Sequence, residues 1–132
     1  MNILFVCKHN RFRSKVAEAL FRHHYKGESV HVRSAGIMLD FMHPYMGRNA
    51  VHVLRNKGIL LRDDGIRKMD GFLLNWADRV IIVADNVAPE YVRNKPVIVW
   101  HIKDASEHDV NDIARRIDEI ERNVLELISH LK

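Results

Sequence analysis

The chain has 132 residues, 47% of them hydrophobic and 29% charged, with a formal net charge of +4 at pH 7. This length and balance suit a single soluble domain covering residues 1–132. No apolar run approaches the length of a membrane span, and the first residues lack the basic and apolar regions of a secretory signal, so we expect a cytoplasmic protein with no membrane partner. The basic residues are spread along the chain, which argues against nucleic-acid binding.

Short apolar runs alternate with helical patterns along the whole chain. Strands are predicted at residues 2–6, 30–34, 80–84 and 97–100, and helices at 14–26, 44–58, 69–75, 86–94 and 109–131. Pro44 fits the first turn of the second helix and Gly58 its end, whereas residues 59–68 look irregular. Asp85 and Asn86 are predicted to cap the helix at 86–94 rather than to take part in catalysis. The alternation predicts an α/β fold with a four-stranded parallel sheet, right-handed crossovers and helices on both faces.

The loop after the first strand supplies the residues that carry chemistry. It begins at Cys7, the only cysteine in the chain, and reaches Arg13 and Ser14 at the start of the first helix. Backbone N–H groups in such a loop, together with the positive end of the helix dipole, form a concave anion site that favours a thiolate. Arg13 has a planar fork of donors for two oxygens of an oxyanion, and Ser14 can donate to the sulfur. The spacing predicts that Cys7 is a nucleophile rather than a buried apolar filler.

The same loop resembles that of a known family. Residues 6–14 read Val-Cys-Lys-His-Asn-Arg-Phe-Arg-Ser, and Ala-Glu-Ala-Leu-Phe follows at 17–21. This sequence motif resembles that of the low-molecular-weight protein tyrosine phosphatases. The Ser-Ala-Gly segment at 34–36 and the strand region at 77–85 resemble segments further along the sequences of that family. The resemblance covers nearly the whole chain. It implies a single flavodoxin-like domain, also described as phosphotyrosine phosphatase I-like, and gives no reason to expect a cofactor.

The resemblance also implies roles for the loop residues. Phosphate-binding positions are occupied by Lys8, His9, Asn10, Arg11, Phe12 and Ser14. Asn10 fits a left-handed backbone position, where asparagine is tolerated. In the family a serine braces the loop asparagine, and Ser34 matches that serine. Two interpretations of Ser34 stay open: it braces Asn10, or it is only a residue at the end of a strand.

An acid is implied after the last strand. A thiolate that attacks a phosphate ester needs the leaving oxygen protonated and then a water activated, and one carboxyl can do both. In the family this residue is an aspartate, usually followed by proline and an aromatic residue. Asp104 takes that place here, followed by Ala105 and Ser106. The alternatives for Asp104 are a solvated loop carboxylate or a cap for the last helix, a role also open to Glu107 and Asp109.

Three functions are compatible with these residues. The first is a cysteine-dependent phosphomonoesterase, a protein tyrosine phosphatase type of hydrolase acting on a phosphorylated protein or a small phosphomonoester. The second is a thiol-coupled arsenate reductase, because Cys-x-His-Asn-x-x-Arg-Ser is closer to the loop of the related arsenate reductases. The third is a non-catalytic oxyanion-binding module, suggested by the basic Lys8 and Arg11. No metal is expected, since the nine histidines show no ligand spacing.

Overall fold

Four parallel strands form the centre of the structure, a computed structural model that describes residues 1–61, 64–92 and 94–131. The strands are β1 (Asn2–Cys7), β2 (His31–Gly36), β3 (Arg79–Val83) and β4 (Val97–Trp100), in the order β2-β1-β3-β4. The helices are α1 (Arg13–His24), α2 (Arg48–Asn56), α3 (Gly71–Trp76) and α4 (Val110–Ser129). The predicted α/β fold with a four-stranded parallel sheet is confirmed.

β1 has an inner position in the sheet, hydrogen-bonded to β2 on one side and to β3 on the other. Both inner strands are apolar almost throughout and are buried, as expected for strands covered on both faces. At the carboxyl end of β1, Cys7 is in register with Gly36 of β2. Because parallel strands end at the same edge of a sheet, the loops after β1, β2, β3 and β4 converge at this edge.

Helices pack on both faces of the sheet, as predicted. On one face α1, α2 and α4 surround buried side chains such as Phe5 and Ile81. On the other face α3 places Leu73 among Leu4 and Val80. The helical repeat of α4 accounts for its buried stripe, which consists of Ile113, Ile117, Ile120, Val124 and Leu127.

The second helix begins later than the sequence predicts. Pro44 is expected in its first turn, but α2 starts at Arg48. The residues before it are held elsewhere, since Met46 N donates to the Asp64 carbonyl at 2.9 Å and the Pro44 carbonyl accepts a bond of 3.1 Å from residue 66. These long-range backbone bonds outweigh the local preference of proline for a helix start. Gly58 follows α2 with a φ of 80°, the conformation that suits a glycine after a helix.

The helix predicted at 86–94 is a single 3-10 turn, Pro89–Tyr91, in the part of that segment that the structure describes. Its N-cap position is Ala88, so the prediction that Asp85 and Asn86 cap it is wrong. Residue 93 of this segment lies outside the described residues, as do 62 and 63 of the stretch predicted to be irregular. No helix in the described ranges combines the length and apolar character needed to cross a bilayer.

Candidate active site

The loop that the sequence singles out lies at the carboxyl edge of the sheet, between β1 and α1. Cys7 ends β1 and Arg13 begins α1, and each is only 2% exposed. Residues 8–12, here named the Cys7 loop, connect them. The loop therefore sits at the N-terminus of α1, where the helix dipole and unpaired backbone N–H groups favour an anion.

Two hydrogen-bond partners lie at the cysteine sulfur. Ser14 Oγ is 2.9 Å from Cys7 Sγ, and the Asn10 backbone N–H donates to the same sulfur at 3.3 Å. The Asn10 side-chain amide donates to Ser14 Oγ at 2.7 Å, which leaves the Ser14 hydroxyl proton to point at the sulfur. Donors at this position stabilise negative charge on sulfur, so the geometry suits a thiolate.

Asn10 determines the shape of the Cys7 loop. It is fully buried and has a φ of 58°, in the left-handed region that asparagine tolerates. Its side chain donates to Ser34 Oγ at 3.1 Å and accepts from the Arg67 backbone N–H at 2.9 Å. Ser34 in turn donates to Glu18 Oε1 at 2.6 Å. Ser34 thus contacts Asn10 as the bracing interpretation requires, while the sequence did not point to Glu18 or Arg67.

The Arg13 guanidinium is held by groups that follow β3 and β4. Nη1 donates to the Ile102 carbonyl at 2.9 Å and lies 3.5 Å from Asp85 Oδ1. Nη2 donates to Asn86 Oδ1 at 3.0 Å and lies 3.8 Å from Asp104 Oδ2. These contacts replace the predicted capping role of Asp85 and Asn86. They fix a buried cation beside the cysteine.

Asp104 lies on the loop after β4 with 54% of its side chain exposed. Its Oδ1 accepts from the Ala105 backbone N–H at 2.9 Å. The cap of α4 is Asp109, whose carboxylate accepts from Asp112 N at 3.0 Å. Asp104 is therefore not the helix cap, and it faces Arg13 from a position that water and a leaving group can reach.

Other side chains of the Cys7 loop contact neighbouring loops. His9 Nδ1 lies 2.6 Å from the Met38 carbonyl, which can only accept, so Nδ1 carries the proton. Arg11 Nε donates to the Tyr45 carbonyl at 2.9 Å, and its guanidinium forms an ion pair with Glu107. The Cys7 loop is thus tied through side chains to the loops after β2 and β4.

One cavity of about 100 Å³ brings the predicted groups together. Its lining comprises Cys7, His9, Arg11, Phe12, Arg13, Asp40, Gly47, Ala50, Asp104, Ala105, Glu107 and Ile113. Lys8, Asn10 and Ser14 are not part of this lining, although Asn10 and Ser14 hydrogen-bond to the cysteine sulfur. The predicted nucleophile, arginine and acid share one cavity.

Two carboxylates of this cavity, Asp40 and Glu107, were not predicted as site residues. Asp40 hydrogen-bonds to His43, and this bond lowers the pKa of the Asp40 carboxyl below its ordinary value. Both residues lie in loops without periodic patterning, and only the convergence of those loops brings them to the cysteine. Across residues 1–61, 64–92 and 94–131, no three His, Cys, Asp or Glu side chains are grouped so as to hold a metal ion.

A parallel α/β fold whose first strand ends in a buried cysteine, with an arginine opening the next helix, defines the class of cysteine-based phosphatases and related arsenate reductases. The chain belongs to the low molecular weight phosphotyrosine protein phosphatase family, whose model matches residues 2–132. By family it is a hydrolase of the low-molecular-weight phosphatase type.

Relatives of both activities resemble the chain over most of its length. An arsenate reductase of Brevibacillus brevis is 31% identical over 121 residues, covering 89% of this chain and 87% of the relative. The structure of an arsenate reductase from Archaeoglobus fulgidus matches with a TM-score of 0.79 at 29% identity, covering 96% of this chain and 98% of that one. A C7S mutant of the YwlE arginine phosphatase, with a phosphorylated active-site serine, matches with a TM-score of 0.84 at 26% identity, covering 99% and 95%. The coarse function is that of a cysteine-based phosphatase or arsenate reductase.

Proposed function

We propose that the protein hydrolyses phosphate monoesters, with phosphotyrosine in proteins or small aryl phosphates as substrates, through a phosphoryl group carried transiently by Cys7. The observation that carries this proposal is the cavity shared by Cys7, Arg13 and Asp104. A nucleophile, an oxyanion ligand and an acid in one pocket are the groups that phosphoryl transfer of this kind requires.

The reaction would proceed in two steps at phosphorus. In the first, the Cys7 sulfur forms a bond to phosphorus, the bond from phosphorus to the leaving oxygen breaks, and Asp104 gives its proton to that oxygen. In the second, the Asp104 carboxylate takes a proton from a water whose oxygen attacks phosphorus. The sulfur–phosphorus bond then breaks, inorganic phosphate leaves, and Cys7 returns as a thiolate.

The phosphoryl oxygens would be held by Arg13 and by backbone N–H groups of the Cys7 loop. Contacts from neighbouring groups fix the Arg13 guanidinium, so little reorganisation is needed when charge develops in the transition state. The side chains of His9 and Arg11 already bind neighbouring loops. In this proposal they, like Lys8 and Phe12, contribute backbone N–H groups rather than side chains to phosphate binding.

The walls of the cavity suit a flat apolar group. Phe12, Ala50, Ala105 and Ile113 are its apolar lining residues besides Gly47 and the cysteine itself. Their apolar surface supports an aryl phosphate as substrate. Because a relative is an arginine phosphatase, phosphoarginine peptides belong beside phosphotyrosine peptides among the substrates tested.

Metal-free hydrolysis of an aryl phosphate as a function of pH tests the proposal. The unmodified, reduced protein should turn over, Cys7→Ser should lose turnover, and Asp104→Asn should alter a limb of the pH profile and lower the rate by about 10²–10⁴-fold. An unmodified protein with no turnover would remove the phosphatase proposal. Oxyanion affinity without any Cys7-dependent product would instead indicate a binding module.

Arsenate reduction is the second candidate, favoured by the 31% identity to an arsenate reductase. The described chain has one cysteine, so a reductase cycle would need an external small thiol to release the arsenic adduct from Cys7. Arsenate turnover that depends on added thiol and exceeds phosphatase turnover would establish this activity. No arsenate turnover at any thiol concentration would eliminate it.

A further inference from the structure

We propose that the ion pair between Arg11 and Glu107 is a strap that positions the catalytic acid. Here the acid loop means residues 101–109, which connect β4 to α4 and carry Asp104. The strap joins this loop to the Cys7 loop. The inference rests on the proposed phosphatase function, because it assigns a role in the reaction to two residues that do not act on the substrate themselves.

Arg11 connects three segments that build the cavity. It belongs to the Cys7 loop, its Nε donates to the carbonyl of Tyr45 in the loop after β2, and its guanidinium pairs with Glu107 in the acid loop. The Arg11 side chain is 19% exposed and that of Glu107 42% exposed. The partly buried guanidinium is directed by two partners at once, which fixes its position better than a single surface ion pair would.

The acid loop needs such a restraint because little else orders its centre. Residues 101–106 form neither helix nor strand, and no proline restricts the backbone there. Asp104 is more than half exposed, and its hydrogen bond to Ala105 lies within the loop itself. Its contact with Arg13 Nη2, at 3.8 Å, is too long for a hydrogen bond, so how far the carboxyl stands from the cysteine also depends on the anchors of the loop.

Anchors on both sides of Asp104 set that distance. On one side the Ile102 carbonyl accepts from Arg13 Nη1 at 2.9 Å and from the Asp85 backbone N–H at 3.1 Å. On the other side Glu107 pairs with Arg11 through its side chain, while its carbonyl accepts from Asn49 Nδ2 at 2.7 Å. The first anchor holds the loop to the buried arginine, and the second holds it to the Cys7 loop. Loss of the ion pair alone would leave this side of the loop held to α2 through Asn49 and no longer held to the Cys7 loop.

The strap also neutralises a cation beside the phosphate site. Glu107 compensates the charge of Arg11, and Asp40 of the same cavity also acts on it, so Glu107→Gln would leave that guanidinium less neutralised and better able to attract a phosphate dianion. We expect a lower KM together with a poorer protonation of the leaving group. These opposite effects separate a positioning role from a general loss of structure.

A ratio of two substrates isolates the positioning effect. Phenyl phosphate has a leaving group that requires protonation, whereas 2,4-dinitrophenyl phosphate releases a stable anion that does not. The ratio of their kcat/KM values cancels changes in binding common to both. In Glu107→Gln this ratio should fall about tenfold, a fraction of the effect of losing the acid itself.

The decisive comparison is the effect of Glu107→Gln in a protein that already lacks the acid. If the strap acts through Asp104, Glu107→Gln should leave the ratio unchanged in an Asp104→Asn protein, since coupled residues are not additive. Arg11→Lys, which keeps the charge of the pair, should preserve more of the ratio than Arg11→Met. Glu119→Gln is the matched control, because Glu119 pairs with Arg116 on α4.

The outcomes distinguish the strap from the proposed function. An unmodified protein that hydrolyses neither substrate would overturn both. An active protein in which Glu107→Gln lowers both kcat/KM values equally, or lowers the ratio equally with and without Asp104, would overturn the strap and leave the phosphatase function standing. A ratio that falls only in the presence of Asp104 supports the strap.

Discussion

At the scale of single residues, Asn10 explains how the Cys7 loop keeps its shape. A left-handed backbone conformation and three side-chain bonds, to Ser14, Ser34 and the Arg67 backbone, meet at this buried residue. The bond from the Arg67 N–H satisfies a partly buried backbone donor, and the other two link Asn10 to the hydroxyl beside the cysteine and to the hydroxyl of Ser34 on β2. The loop conformation that exposes backbone N–H groups to an anion therefore depends on one side chain.

Asn10→Ala should destabilise the protein by about 2–4 kcal/mol, the sum of left-handed strain, of the lost side-chain bonds and of the Arg67 N–H left without its acceptor. Urea unfolding measures this loss. Asn94→Ala is the matched control, because Asn94 has a φ of 64° but is exposed, and it should cost only about 1 kcal/mol. Equal losses in the two variants would show that the side-chain bonds of Asn10 contribute nothing.

At the scale of elements, the end of β2 supports the Cys7 loop from the side. A Cβ atom on Gly36 would lie 2.7 Å from the His9 carbonyl carbon and 2.8 Å from the Asn10 nitrogen. Both are backbone atoms, which cannot move aside as a flexible side chain would. The absence of a side chain at Gly36 thus permits the loop to approach the strand.

Gly36→Ala should displace the Cys7 loop and weaken the binding of inorganic phosphate by about tenfold or more, because small misplacements of such groups are costly. Titration calorimetry with phosphate measures this without requiring turnover. Gly71→Ala, at an open position at the start of α3, should bind phosphate as the unmodified protein does. Unchanged affinity in Gly36→Ala would contradict the role of the close approach.

At the scale of the whole molecule, an ionic cluster joins three helices on one face of the sheet. Glu121 of α4 accepts from His24 of α1 at 2.8 Å and lies 3.2 Å from Lys57, which follows α2 and also contacts Asp118. Burial raises the pKa of Glu121, but the hydrogen bonds of His24 and Lys57 outweigh it, and the net effect lowers this pKa below 4.5. A carboxyl whose pKa is lower in the folded protein stabilises the fold above its unfolded value and loses that contribution as pH falls through the folded value.

Glu121→Gln should therefore reduce the free energy of unfolding at neutral pH, and the difference from the unmodified protein should shrink as pH falls below about 4.5. Urea unfolding at a series of pH values measures it. Glu126→Gln, at an exposed position of α4, should show no such trend. A Glu121→Gln difference that stays constant down to acidic pH would contradict the assignment.

How much could be predicted from the sequence depends on the range of the interactions. Cys7, Arg13 and Ser14 form a local motif at a strand–helix junction, so their spacing alone predicts that they lie close together. Glu107 and Asn86 reach the site only because loops far apart in the chain converge at one edge of the sheet, and no local pattern encodes their partners. The late start of α2 has the same cause, since long-range backbone bonds hold the residues after Pro44 out of the helix.

Peptide mass spectrometry of Asp104→Asn, quenched during turnover of 2,4-dinitrophenyl phosphate, tests whether Cys7 carries the phosphoryl group. The first step needs no acid with this substrate, whereas the second step lacks its base, so the intermediate should accumulate. We expect one phosphoryl group on Cys7 and none in an Asp104→Asn protein that also carries Cys7→Ala. Phosphate release that continues without a phosphorylated Cys7, or that persists in Cys7→Ala, would contradict it.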